Sequence, residues 1–182
     1  MTTTAIGVDL VDVASFGEQL CQEGSVFHRV FTAREWNAAL RFAPEQGAAP
    51  AGQFPSGHLQ TSAALPSSGP SAPELPTRAL HSLAARWAAK EAFIKAWSSL
   101  YYGREDPLKS ADIDWAQIEV VCDRWGRPAF RFHGQIASEL DKTQEELKAS
   151  LSWLLSLSHD GNYAIAWVSV NQTDLREAKE FS

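Results

Sequence analysis

Arg86-Trp87-Ala88-Ala89-Lys90-Glu91-Ala92-Phe93-Ile94-Lys95-Ala96-Trp97 is the stretch on which the architecture turns. Alanines at 84, 85, 88, 89, 92 and 96 give high helix propensity, and no Gly or Pro interrupts residues 79–102. The pattern predicts one long helix there. Its apolar stripe is expected through Leu80, Leu83, Trp87, Ile94 and Trp97, with Arg86 and Lys90 on a neighbouring face. Glu91 and Lys95, four apart, must share a side, one turn beyond Trp87. An ion pair at this spacing is commonly a solvated rim. Beside bulky apolar surface it becomes a candidate for chemistry, and the rest of the chain decides between the two readings.

Near the N-terminus Ala5-Ile6-Gly7-Val8-Asp9-Leu10-Val11-Asp12-Val13 alternates and is β-branched, which predicts a strand buried on at least one face. Asp9 interrupts it, and a carboxylate held beside a core must be paired, hydrogen-bonded or bound to a cation. Asp12 reads as a strand-end or helix-cap residue. Thr32 and Glu35 have the spacing of a capping box opening a short helix. Further on, Asp123-Arg124-Trp125-Gly126-Arg127-Pro128 is a turn between residues 118–122 and 129–132, which would pair as a hairpin. Asp160-Gly161 marks a second hairpin between 151–158 and 163–170, with Ser158 and His159 at its mouth. No triad order specific for a hydrolase accompanies that histidine.

Composition sets bounds. The chain has 182 residues, 45% hydrophobic, with seven Trp, enough for one domain with a proper core. A net charge of −6 argues against nucleic-acid binding. No apolar run reaches membrane-spanning length, and Cys21 and Cys122 lack metal-ligand or redox spacing, as expected of a cytoplasmic protein. Residues 44–78, rich in Pro, Gly, Ala and Ser, predict a flexible insertion into the single domain 1–182. Residues 172–182 predict a short helix or frayed end. The expected order is strand, helix, short helix, loop, long helix, hairpin, helix, hairpin: an α+β domain with a mainly antiparallel sheet packed on a long helix.

Taken together, Ile6-Gly7-Val8-Asp9, Phe31-Thr32 with Glu35, the Arg86–Trp97 run, Trp125-Gly126-Arg127-Pro128 and Leu157-Ser158-His159 occur in the order and rough spacing of one family. The chain resembles the holo-acyl-carrier-protein synthases, the short class of 4′-phosphopantetheinyl transferases, most closely their actinobacterial form. The likeness covers residues 5–43 and 79–170. It is interrupted at 44–78, and 142–149 looks like an added helical piece.

The resemblance implies the 4′-phosphopantetheinyl transferase fold and a reaction in which the phosphopantetheine arm of coenzyme A moves to a serine of an acyl carrier protein, or of a fatty-acid synthase carrier domain. It implies Asp9 and Glu91 as ligands of Mg²⁺, a hard cation that keeps water and phosphate oxygens as its other ligands. Lys95 is implied as the lysine on the phosphates, with Glu91 and Lys95 catalytic. Arg86 and Lys90 would meet the coenzyme A phosphate or adenine side, or an acidic carrier, and Ser158 and His159 would border the coenzyme A site. The base for the serine proton is either Glu91 or a water on the metal. The family also implies a homotrimer with sites between subunits. An acidic carrier would need a local basic patch, for which Arg29, Arg34, Arg41, Arg86 and Arg127 are candidates.

Two rivals differ in residues. A Mg²⁺-dependent nuclease places its Glu and Lys two apart on a strand, whereas here they are four apart on a helix. A non-catalytic coenzyme A or carrier-binding module needs no metal pair, so Asp9 together with Glu91 discriminates against it.

Overall fold

The alternation around Gly7 becomes strand β1 (Thr4–Asp12) in the computed structural model, which describes residues 4–41 and 75–174. Ala5, Gly7 and Asp9 turn inward while Ile6, Val8 and Leu10 face out, the consequence of a pleat with period two. At its end Asp12 accepts a hydrogen bond from the Ser15 N–H at 2.8 Å and caps helix α1 (Val13–Cys21). Helices α2 (Phe27–Val30) and α3 (Ala33–Leu40) follow. The capping box is formed in both directions: Glu35 N–H donates to Thr32 Oγ1 at 3.2 Å, and Thr32 N–H donates to Glu35 Oε2 at 2.9 Å.

Helix α4 (Thr77–Ser99) begins and ends slightly earlier than the sequence pattern suggests. The expected stripe needs correction. Ala84, Ala85, Ala88, Ala89, Ala92 and Ala96 are as deeply buried as Leu83, Phe93 and Trp97, and Arg86 and Lys90 are buried with them. The alanines serve contact as well as propensity, because α4 is covered by the sheet on one side and by other elements around it. At Gly7 a side chain is impossible: an added Cβ would lie 2.0 Å from the Ala92 carbonyl oxygen and 2.6 Å from the Ala96 nitrogen. Strand and helix backbones therefore touch directly.

Both predicted hairpins form, β2 (Ile118–Cys122) with β3 (Pro128–Phe132), and β4 (Ala149–Asp160) with β5 (Tyr163–Asp174). Between them α5 (Gly134–Leu147) extends well upstream of the helical piece expected at 142–149. The main sheet has the antiparallel order β1-β5-β4, and β2-β3 is a separate pair. The second turn closes on Gly161-Asn162, with Gly161 at φ +52°, a conformation glycine adopts freely. Phe93 holds the core between the layers, its ring 4.7–5.3 Å from those of Phe130, Phe132 and Trp153.

The last hairpin alternates between a covered and an uncovered face. Trp153, Leu155 and Leu157 pack on the core, whereas Tyr163, Ile165 and Trp167 point outward, in line with Val8 and Leu10 of β1. The β1 and β5 part of this outer face is apolar and exposed, while β4 adds Leu154 among Ser150, Ser152, Ser156 and Ser158. The insertion expected at 44–78 lies outside the described residues up to 74; Leu75 is buried and Thr77 already opens α4. Of the 172–182 tail, residues 172–174 belong to β5 and the remainder lies outside the described residues. Among the described residues no helix is long and apolar enough to cross a membrane.

Gly7→Ala is expected to cost about 3 kcal/mol or more, because the clash is with backbone that cannot rotate away. Equilibrium urea unfolding with the midpoint close to wild type would contradict the contact.

Candidate active site

The direct seating of β1 on α4 brings Asp9 to Glu91 and Lys95. Lys95 Nζ donates to Asp9 Oδ1 at 2.7 Å and to the Val8 carbonyl at 3.3 Å. Asp9 is 10% exposed at its side chain and Lys95 53%, so the ammonium stands at the rim over a nearly buried carboxylate. A pair open on one side contributes only about 1 kcal/mol or less to stability. Burial raises the Glu91 carboxyl above its ordinary value; the negative charge of Asp9 and a hydrogen bond with it push the same way, and Lys95 pulls it back. Two carboxylates thus compete for one ammonium.

That donor set suits a hard divalent cation, which would relieve the repulsion between Asp9 and Glu91. Among the described residues no cluster of three or more His, Cys, Asp or Glu side chains could hold a metal; a cation at this pair would have Asp9 and Glu91 as its side-chain ligands.

Lys90 does not join this cluster. Its side chain is fully buried and donates to Glu35 Oε2 at 3.0 Å, the Trp115 carbonyl at 3.0 Å and the Ile118 carbonyl at 2.6 Å. All three ammonium hydrogens are used, and none is left for a phosphate. The expected coenzyme A contact at Lys90 is therefore corrected to a structural one. Burial lowers its proton affinity, and the opposing charge of Glu35 offsets part of that effect. Removing one partner of such a pair costs about 3–5 kcal/mol. Arg86 is also buried, with Nη1 donating to the Ser82 carbonyl at 3.0 Å and to the Ser82 hydroxyl; its Nε has no partner among the described residues.

Ser158 and His159 also stand apart. Ser158 pairs with Ile165 and shares the outer face of the sheet, opposite to Asp9. His159 lies on the α4 side, where its ring stacks on His81 at 5.2 Å. Within one chain, then, Asp9, Glu91 and Lys95 come together, and Arg86, Lys90, Ser158 and His159 do not join them.

The sequence reading missed the reach of Glu35. Besides completing the capping box it accepts from Lys90 and, through Oε1, from the Val120 N–H at 3.0 Å. The signal was available in the alanines flanking Lys90: a helix crowded on every side obliges a lysine within it to find a carboxylate. Glu119 was missed too. Almost buried in β2, it accepts from Thr32 Oγ1 at 3.1 Å and lies 3.1 Å from His133 Nε2.

The chain as a whole has relatives. The model of the 4′-phosphopantetheinyl transferase superfamily matches residues 5–168. A holo-[acyl-carrier-protein] synthase of Corynebacterium efficiens is 39% identical over 162 residues, 89% of each chain. One of Nocardia farcinica is 34% identical over 99% of this chain and 98% of its own. Among solved structures, the ACPS–CoA complex of Chronobacterium ammoniagenes superposes with a TM-score of 0.69 at 34% identity, covering 94% of this chain and 98% of that one. The chain belongs to the 4′-phosphopantetheinyl transferase superfamily.

The raised Glu91 carboxyl has a consequence for stability. Between its unfolded and folded values the folded chain keeps a proton that the unfolded chain has lost, so stability falls as pH rises through that window. Glu91→Gln has no such proton. In metal-free buffer its melting temperature should gain on wild type as pH rises through and above the ordinary carboxylate range, with the gap closing in acid. A difference independent of pH would contradict the assignment.

Proposed function

We propose that this chain transfers the 4′-phosphopantetheine group of coenzyme A to a serine hydroxyl of an apo acyl carrier protein, or of a fatty-acid synthase carrier domain, releasing adenosine 3′,5′-bisphosphate. The observation that carries this reading is the meeting of Asp9, Glu91 and Lys95 where β1 touches α4, in a chain of this superfamily. A nuclease is disfavoured by the helical placement of Glu91 and Lys95, and a mere binding module by the carboxylate pair.

Attack of the serine oxygen forms a new P–O bond at the phosphorus bearing the pantetheine arm and breaks the bond to the bridging oxygen of the pyrophosphate. Lys95, half exposed on a flexible stem, is placed to hold the charge that develops on the phosphates. The base for the hydroxyl proton in this reading is either Glu91 or a water on the cation that Asp9 and Glu91 would hold. Asp9 orients the lysine through the 2.7 Å bond. Asp9 and Glu91 would hold Mg²⁺, which when bound would supply neutralisation of phosphate charge. Lys90 has no part in this reading, and Arg86, buried and held by Ser82, stands apart from the cluster.

Incubating an apo carrier protein with this chain, coenzyme A and Mg²⁺ should add one phosphopantetheine by mass spectrometry. Asp9→Asn and Glu91→Gln should each lower kcat/KM about 100-fold or more with the fold retained. Lys95→Ala should lose more than Lys95→Arg. Full turnover in either carboxylate variant at limiting Mg²⁺ would remove the pair from the site.

The assembly in this reading is a homotrimer working in the cytoplasm, with Ser158 and His159 reaching the Asp9–Glu91–Lys95 cluster of a neighbouring copy. The exposed Leu10, Ile165 and Trp167 on the outer face of the sheet support self-association. Trp167→Asp should yield monomers in sedimentation, with native circular dichroism and little transfer. A fully active monomer would show that one chain holds the whole site.

A further inference from the structure

His159 stands near the end of β4, two residues before Gly161 in the turn, where a hairpin is least constrained. Its backbone is nevertheless fixed. It pairs with Ala164 of β5, and the turn is tied to α1 by the Val13 N–H, which donates to the Asn162 carbonyl at 2.8 Å. The side chain is held differently. His159 is exposed, and among the described residues no hydrogen bond or ion pair fixes its ring. What the ring does meet is His81 of α4, centroid to centroid at 5.2 Å and 28° from parallel.

The meeting is built into the packing. His81 lies in the second turn of α4, half-buried, with Ala84 and Ala85 buried one turn further on. Ala164, opposite His159 on the neighbouring strand, is fully buried in the same apolar cluster as Val13, Leu83 and Ala84. Small side chains at these positions let helix and hairpin approach until the two imidazoles stack. Stacked rings restrict each other's tilt and leave their edges free, and the edge is where an imidazole carries its nitrogens. His159 is thus oriented through its face and keeps its nitrogens for a ligand.

We infer that His81 is a positioning residue: by stacking on His159 it fixes the ring that the proposed reaction places against the coenzyme A of a neighbouring copy. The inference rests on that reading and adds the group that orders His159 before the ligand arrives, so that less rotational freedom is lost on binding. An aromatic face is what this role requires, and a charge is not.

The test compares His81→Ala, His81→Phe, His159→Ala and the double alanine change in the full chain. Each is assayed by transfer to an apo carrier protein, by calorimetric titration with coenzyme A, and by NMR of the histidine rings. His81→Ala is expected to raise KM and Kd for coenzyme A about fivefold with kcat close to wild type. It should also shift the His159 ring resonances, which lose the ring current of the neighbouring face. His81→Phe should restore the affinity, because it keeps a flat ring in the same place. His159→Ala should weaken coenzyme A about tenfold or more, and adding His81→Ala to it should cost nothing further. Three results would overturn the positioning role: a fivefold loss that persists in the His159→Ala background, equal affinities in the Ala and Phe variants of His81, or wild-type affinity in His81→Ala while His159→Ala is impaired. Wild-type affinity in His159→Ala would overturn the place of His159 at coenzyme A, and this inference with it.

Discussion

The contact between the Gly7 backbone and the Ala92–Ala96 turn of α4 is the constraint on which the rest depends. No side chain separates strand from helix there, so their spacing is set by backbone atoms with almost no freedom to adjust. Asp9, two residues along the same face of β1, inherits that spacing, which brings it within 2.7 Å of Lys95. A site built on a strand and a helix in direct contact needs no loop to hold it, and its geometry is as rigid as the core.

Two ion pairs on α4 show how burial sorts similar residues into different work. Lys90 and Lys95 differ by five positions, and each faces a carboxylate from an earlier element. Lys90 is sealed, its three donors satisfied, and it joins α3, α4 and the start of β2 into one frame. Lys95 is open to water and its pair adds little to stability, so folding alone does not account for its position beside Asp9. The sealed pair makes the open one possible, because a helix so firmly packed can carry an unsatisfied cluster at its rim.

Much of this is legible in the amino-acid sequence. Alanine density gave α4, alternation gave β1, the Asp-Gly and Trp-Gly-Arg-Pro turns gave both hairpins, and the mid-strand Asp9 pointed to a paired carboxylate. Other features were not legible, for physical reasons. An apolar stripe is a good guide for a helix on a surface, but α4 is surrounded, and there small residues mark contact as strongly as large ones do. Lys90 looked like a ligand because charge in a sequence carries no information on burial. Glu35 was seen as a cap alone, since a local motif cannot disclose a partner 55 residues away. Ser158 and His159 are adjacent in sequence and so were grouped, but neighbours on a strand face opposite sides.

That last fact gives β1 a wider meaning. Its inward positions, Gly7 and Asp9, serve the contact with α4 and the pairing with Lys95; its outward positions, Val8 and Leu10, belong to the exposed apolar face of the sheet. A slip of one residue against β5 would exchange the two sets, driving Val8 into the α4 backbone and turning Asp9 outward. The strand is thus written in two interleaved alphabets that must be read in a single frame. An inserted or deleted residue in β1 would corrupt both messages together, and so the apolar face cannot be redesigned by shifting the strand without erasing the site on its reverse.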